Sequence, residues 1–289
     1  MNSAPEPAFT LRLHGAGGAF SRRYGTTCAE LRLPDGARWL IDCGRQAPEQ
    51  LHAAGVRWHD IHGQIVTHVH GDHIYGLEEF AFSRYFYDLD AVGSIRSGGP
   101  RILLVAHDAV RREVWESLAS SLRYVPDLPE TGMGTLESYF EPVPIVAREA
   151  PQGNPWDHAQ TCVSGQLRVV LRETVHVPGK PSTSVEIALD RAGDRVAWWS
   201  GDSTVDAAFL TALEPRTSVF FHDCTFVDYP GQVHGAFAQL ERLPEAVRRK
   251  MVLMHHEDDL ELHRERAEAL GFRVALPGDA FDLVRGVRL

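Results

Sequence analysis

The sequence predicts an α/β fold in which two β-sheets pack face to face between helical layers. Three observations carry this expectation. Strand-type apolar runs occur in both halves of the chain, and each set is followed by segments of helical spacing. No repeat or long linker divides the chain, so residues 1–289 read as a single domain. A content of 44% hydrophobic residues over 289 positions suffices for a large buried core.

The elements follow in order. "FTLRLHG" (Phe9 to Gly15), "CAELRL" (Cys28 to Leu33) and "ARWLIDCG" (Ala37 to Gly44) read as strands parted by Gly and Pro-Asp-Gly turns. "APEQLHAAG" reads as a short helix stopped by Gly55, "GQIVTH" as a buried strand, "IYGLEEFAF" as helical and "RILLVA" as a core strand. His107 to Val125 has helical spacing, whereas Pro126 to Asp157, rich in Pro, Gly and Glu, reads as an irregular, lid-like insertion. "GQLRVVLRETVH", "STSVEIALD", "RVAWWSGD" and "SVFFHDCTF" are the next strands. A helix interrupted at Pro244, the strand "MVLMHH", the helix "ELHRERAEALG" and two terminal strands, "FRVALPGD" and "AFDLV", complete the chain.

Composition excludes some classes of function. A net charge of −10 without a basic stripe argues against a long nucleic acid as partner, because phosphate contacts dominate that affinity. No apolar run approaches the ~18 residues of a membrane span. The start "MNSAPEPAFT" lacks a basic flank and an apolar stretch, so the cytoplasm is the expected location. Cys28, Cys43, Cys162 and Cys224 are scattered and read as reduced core thiols.

The chain holds 15 histidines, and most stand singly at the ends of apolar runs. "QIVTHVHGDHIYGLEEF" is the exception, with three histidines and an aspartate between His68 and His73. In an extended segment residues two apart point the same way, so His68 and His70 can reach one ion. Where the chain turns into the helix, Asp72 and His73 can swing towards a second. Imidazole suits zinc and related ions, and a carboxylate such as Asp72 serves as ligand or proton acceptor. His176, Asp202 and His255 repeat one grammar: an apolar strand, a ligand-type residue, then a loop. Gly15, Gly17 and Gly18 read as a tight turn that lets backbone approach the metal site, since no Gly-Lys-Ser/Thr follows. Lys180 and Ser182 are placed either to meet phosphate oxygens or in a solvated loop.

Taken together, these residues resemble the metallo-β-lactamase fold hydrolases, whose pattern is HxHxDH, a lone His, a lone Asp and a final His at successive strand ends. The likeness covers almost the whole chain and includes "LIDCG", whose Asp42 matches the family's structural aspartate. It implies a four-layer αββα sandwich and two divalent metal ions, both Zn²⁺, with Mn²⁺ as the alternative identity. His68, His70 and His176 would hold one ion, Asp72, His73 and His255 the other, with Asp202 bridging. "FFHDCTF" with "VHGAF" resembles the ribonuclease Z branch, in which an acid orients a histidine that protonates the leaving oxygen. Carried over, Asp223 would orient His234, although that branch usually has Glu where this chain has Asp223. "HGAGGAFSRRYGTT" is similar to the cyclic-nucleotide phosphodiesterases that counter Pycsar defence and their bacterial relatives. The resemblance therefore implies hydrolysis of 3′,5′-cyclic mononucleotides, a small anionic phosphodiester as substrate, and a homodimer. The alternatives are a tRNA 3′-processing endonuclease, a lactonase or thioesterase of the same fold, and a non-catalytic binding module. The arm with which ribonuclease Z grips tRNA has no counterpart here, "GSIRSGGPR" being too short.

Overall fold

The computed structural model describes residues 9–86, 101–124, 133–148, 159–191, 195–227 and 229–289. Most of "GSIRSGGPR" and residues 126–132 and 149–157 of the expected insertion lie outside the described residues.

In chain order the strands are β1 (Thr10–Gly15), β2 (Cys28–Arg32), β3 (Arg38–Ile41), β4 (Gly63–Ile65), β5 (Ile102–Val105), β6 (Phe140–Pro142), β7 (Val146–Arg148), β8 (Ala159–Ser164), β9 (Leu167–Glu173), β10 (Thr183–Leu189), β11 (Val196–Trp199), β12 (Thr217–Asp223), β13 (Met251–Met254), β14 (Arg273–Val274), β15 (Ala280–Asp282) and β16 (Val287–Arg288). The helices are α1 (Ala47–Ala53), α2 (Gly71–Ile74), α3 (Leu77–Phe86), α4 (Asp108–Leu122), α5 (Leu136–Tyr139), α6 (Ala207–Leu213), α7 (Phe237–Leu240), α8 (Glu245–Arg248) and α9 (Arg264–Ala269).

Two eight-stranded sheets result, ordered β16-β15-β1-β2-β3-β4-β5-β6 and β14-β13-β12-β11-β10-β9-β8-β7. Period-2 alternation divides the apolar side chains between the faces. Trp39 and Ile41 of β3, Trp199 of β11 and Phe221 of β12 point inwards and meet between the sheets. Their neighbours Leu40, Trp198 and Phe220 point outwards, Leu40 under the layer that holds α3 and α4, the other two under α6, α7 and α9. This is the αββα sandwich that the resemblance implied.

Three differences from the sequence reading have physical causes. The segment read as irregular carries α5, β6 and β7, and the last two are the edge strands of the two sheets. An edge strand packs on one side only, and Glu141 and Val146 here are exposed, so little periodicity marks it. The sequence reading also lacked β8 and β16. The two terminal strands part company: β14 stays with the second sheet, and β15 crosses back to pair with β1.

The strands that carry site residues run parallel where it matters. β3 and β4 pair in parallel, as do β11, β12 and β13, so their C-terminal ends gather at one edge of the sandwich. There the sheets are tied together: the Thr183 N–H (3.0 Å) and hydroxyl (2.9 Å) both donate to the Thr67 carbonyl.

On the outer face of the first sheet Glu30 is fully buried, 3.0 Å from His14 Nε2 and 2.8 Å from Arg38 Nε. Burial opposes its ionisation, but the hydrogen bonds from His14, Arg38 and Arg32 outweigh that and hold its pKa far below the usual range. Replacing Glu30 by Ala would strip buried His14 of its partner, leave Arg38 with Asp60 alone and open a cavity. Glu30→Ala is expected to cost about 3–5 kcal/mol, read as a lower midpoint in urea unfolding with an unchanged slope.

Candidate metal centre

The centre is built outward from Asp42, the residue after β3. Asp42 adopts φ 56° and His255 φ 58°, and these are the non-glycine residues with positive φ among those described. Asp and His tolerate that region better than most residues, and such strain concentrates at functional sites. The Asp42 carboxylate accepts from the Thr67 N–H (2.9 Å), the Thr67 hydroxyl (2.8 Å) and His73 Nδ1–H (2.8 Å). With its own hydrogen given to Asp42, the Thr67 oxygen is free to accept from His68 Nδ1–H at 3.1 Å. His176 Nδ1–H donates to the Val233 carbonyl at 2.9 Å. In all three histidines Nδ1 is occupied by the scaffold, so Nε2 carries the lone pair and faces the interior.

α2 begins earlier than the sequence suggested, at Gly71, and thereby puts Asp72 and His73 on its first turn while His68 and His70 remain extended. Gly76 then lets the chain pass the β3 end, because a Cβ there would lie 2.6 Å from the Gly44 carbonyl oxygen.

Two groups of ligand-type atoms converge, each with all atoms within 4.8 Å of one another: His68, His70, His176 and Asp202, and Asp72, His73, Asp202 and His255. In the first, His70 Nδ1 lies 3.0 Å from His68 Nε2 and 3.3 Å from His176 Nε2, and Asp202 Oδ2 lies 3.6 Å from His68 Nε2. In the second, Asp72 Oδ2 lies 3.3 Å from His73 Nε2 and 3.2 Å from His255 Nε2. Asp202 reaches into both, with Oδ2 3.4 Å from His73 Nε2 and Oδ1 3.5 Å from His255 Nε2. All seven residues named from the sequence meet here.

The donor set fits divalent cations. His73 Nε2 and Asp202 Oδ1 are shut off from solvent and make no well-aligned hydrogen bond among the described residues. Buried polar atoms are otherwise almost always partnered, so inward-facing orphans that both present lone pairs mark a place for a cation. Burial, reinforced by the neighbouring histidines, keeps His68 and His70 neutral, His70 at about 4. In the second group burial works against protonation, yet Asp202 and Asp72 overcome it and raise His73, and His255 to about 9.

A third group joins Asp202 to Asp223 and His234. His234 Nδ1–H donates to Asp223 Oδ2 at 3.1 Å, and its side chain is 23% exposed. Asp223 is fixed in turn by the Gly235 N–H (3.2 Å to Oδ2) and, through its own N–H, by Ser200 Oγ (2.9 Å). His222 is a core residue, its Nδ1–H donating to the Asp223 carbonyl at 2.7 Å. His256 points away from the centre, with Nε2 2.9 Å from the Ala275 carbonyl. The glycine turn does approach the centre: a Cβ on Gly18 would lie 3.0 Å from the His255 carbonyl oxygen. Of the two phosphate candidates, Lys180 pairs with Glu113 at 3.0 Å and Ser182 Oγ donates to the Asp202 carbonyl at 3.2 Å. Thr67, Ser200 and Gly235 were missed from the sequence. Only the place of Thr67 directly before the histidines could have marked it.

Two outcomes follow for the protein in solution. Asp42→Ala should weaken metal binding about 10- to 100-fold, as loss of an orienting partner does, read by competition with a chromogenic chelator. For metal-stripped protein the sign is set by His255: raised from 6.5 to about 9, it adds stability that is complete below 6.5 and lost as pH rises through 9. The melting temperature of chelator-treated protein should therefore fall between those values, and metal reload should remove the fall.

Residues 9–275 match the family model described as "Anti-Pycsar protein Apyc1". The protein of that name from Paenibacillus harenae is 32% identical over 258 residues, covering 89% of this chain and 93% of its own. The one from Bacillus phage 010DV004 is 32% identical over 277 residues, covering 94% and 98%. Among solved structures, the metallo-β-lactamase fold protein YhfI from Bacillus subtilis superposes with a TM-score of 0.66 at 16% identity, over 94% of this chain and 99% of its own. The short form of human tRNase Z gives 0.64 at 18%, over 95% and 99%. At such identities the structures speak for the fold alone. Since the family match runs from β1 through β14 and takes in every site residue and all strands but the last two, the chain belongs to the Anti-Pycsar protein Apyc1 family, on a metallo-β-lactamase fold.

Proposed function

We propose that the protein is a metal-dependent phosphodiesterase that hydrolyses small 3′,5′-cyclic mononucleotides. The observation that carries this reading is the placement of His234, held by Asp223 beside two metal-type groups that share Asp202. A lactonase or thioesterase would leave that pair without a task. The anti-Pycsar relatives support the same reading.

In this reading His68, His70 and His176 would hold one divalent ion and Asp72, His73 and His255 the other, with Asp202 shared by the two groups. Zn²⁺ suits a donor set of imidazoles and carboxylates. When bound, such ions make water nucleophilic near neutral pH and offset the negative charge of the phosphoryl group in the transition state. The chain itself supplies orientation and protons. With Nδ1–H committed to Asp223, His234 is left to deliver a proton from Nε2 to the departing ribose oxygen. Burial opposes ionisation of Asp223, but hydrogen bonds from His222 and His234 outweigh it and bring its pKa down to about 2. The carboxylate thus stays charged and steadies the imidazolium that must form. Asp72 would serve the second group as ligand and as proton acceptor. The same reading takes residues 1–289 as one domain, working as a cytoplasmic homodimer.

Asp202→Ala should abolish turnover together with metal content, measured by elemental analysis. His234→Ala should keep its metal and lose about 10²- to 10⁴-fold in kcat on 3′,5′-cyclic CMP. Normal turnover by that variant would remove His234 as the acid. Faster cleavage of precursor tRNA than of cyclic mononucleotides would replace the substrate class.

A further inference from the structure

Beside the centre lies a cleft of about 400 Å³, walled by the glycine turn through Ser21, by His255 to Asp258 and by the segment around His234. That volume is within the range of small-molecule sites. Its polar floor is already satisfied. Asp258 accepts from Ser21 Oγ (2.6 Å) and from the N–H groups of Arg22 (3.0 Å) and Arg23 (3.1 Å). Glu257 accepts from the Thr225 hydroxyl and the Phe226 N–H. What the cleft still offers is apolar: Phe20 is 88% exposed, Val227 50% and Tyr229 38%.

Phe20 has no folding reason for that position. An exposed phenylalanine forgoes the free energy that its burial would bring, and this ring stands on the turn whose Gly18, two residues earlier, lies against His255. His234 and His255 close the end of the cleft at the metal groups. A ligand with its anion at those groups would therefore extend its other end between the two aromatic side chains.

We propose that Phe20 and Tyr229 are substrate-positioning residues that stack on the nucleobase, while the phosphodiester lies at the metal groups. The proposal rests on the cyclic-nucleotide reading above and adds to it where the base goes. Stacking suits this cleft because a base presents a π-face whatever its edge, and the acids of the cleft already accept from Ser21, Thr225 and backbone N–H groups.

The test compares 3′,5′-cyclic CMP with its abasic analogue, 1-deoxyribofuranose 3′,5′-cyclic phosphate, on metal-loaded wild type, Phe20→Ala, Phe20→Trp and Tyr229→Ala. The ratio of kcat/KM between the two substrates should fall about 5- to 100-fold in Phe20→Ala. The loss should appear in KM more than in kcat, and Phe20→Trp should restore it. Because Phe20 is exposed, folding of the variant is not at stake. An unchanged ratio, or equal loss on both substrates, overturns the proposal. Calorimetric binding of cyclic CMP separates the two readings: a wild type that binds without turnover sinks the hydrolytic function, yet a weaker Kd in Phe20→Ala still upholds stacking.

Discussion

The carboxylate of Asp42 is the constraint on which the centre depends. It lies fully buried at the end of β3 and accepts from Thr67 twice and from His73 once. Through Thr67 it also sets His68. One acid thereby fixes the tautomer and direction of a histidine in each metal-type group, so the groups cannot shift independently. Its left-handed backbone is the cost of bringing that carboxylate beneath the β4 end, offset by bonds that leave no freedom to relax.

The second constraint is the edge at which the sheets meet. β3 and β4 deliver Asp42 and the histidine run from one sheet, while β9, β11, β12 and β13 deliver His176, Asp202, Asp223 and His255 from the other. The Thr67–Thr183 bonds fix the separation of those two sets. A centre shared between sheets inherits the rigidity of the core between them, where Trp39, Trp199 and Phe221 are fully or almost fully buried. Positioning to within a fraction of an ångström comes from that packing, not from the loops that carry the ligands.

Electrostatics divides the labour inside the site. The first group is rich in neutral imidazole, whereas the second sets two carboxylates around His73 and His255. Burial opposes ionisation of Asp202, which is common to both, but the positive charge on His255 and His73 outweighs it and holds the carboxylate well below its usual range. The net charge of −10 on the chain coexists with this because the interior field is set by neighbours a few ångströms away, while distant surface charges are screened.

What the sequence determined by itself was whatever depends on short range. The spacing His68-x-His70-x-Asp72-His73 marked an extended pair followed by two residues at the turn into a helix, and strand-then-ligand grammar marked His176, Asp202 and His255. The apolar runs around Trp198-Trp199 and Phe220-Phe221 marked two strands, and the structure buries them on both faces. Tertiary structure decided what depends on remote partners. His255 rather than His256 faces the centre because φ 58° turns the chain there and the Ala275 carbonyl claims the second ring. Lys180 was lost to Glu113, a residue of α4 far away in sequence. The edge strands β6 and β7, with β8 beside β7, escaped notice because half-exposed segments carry little periodicity.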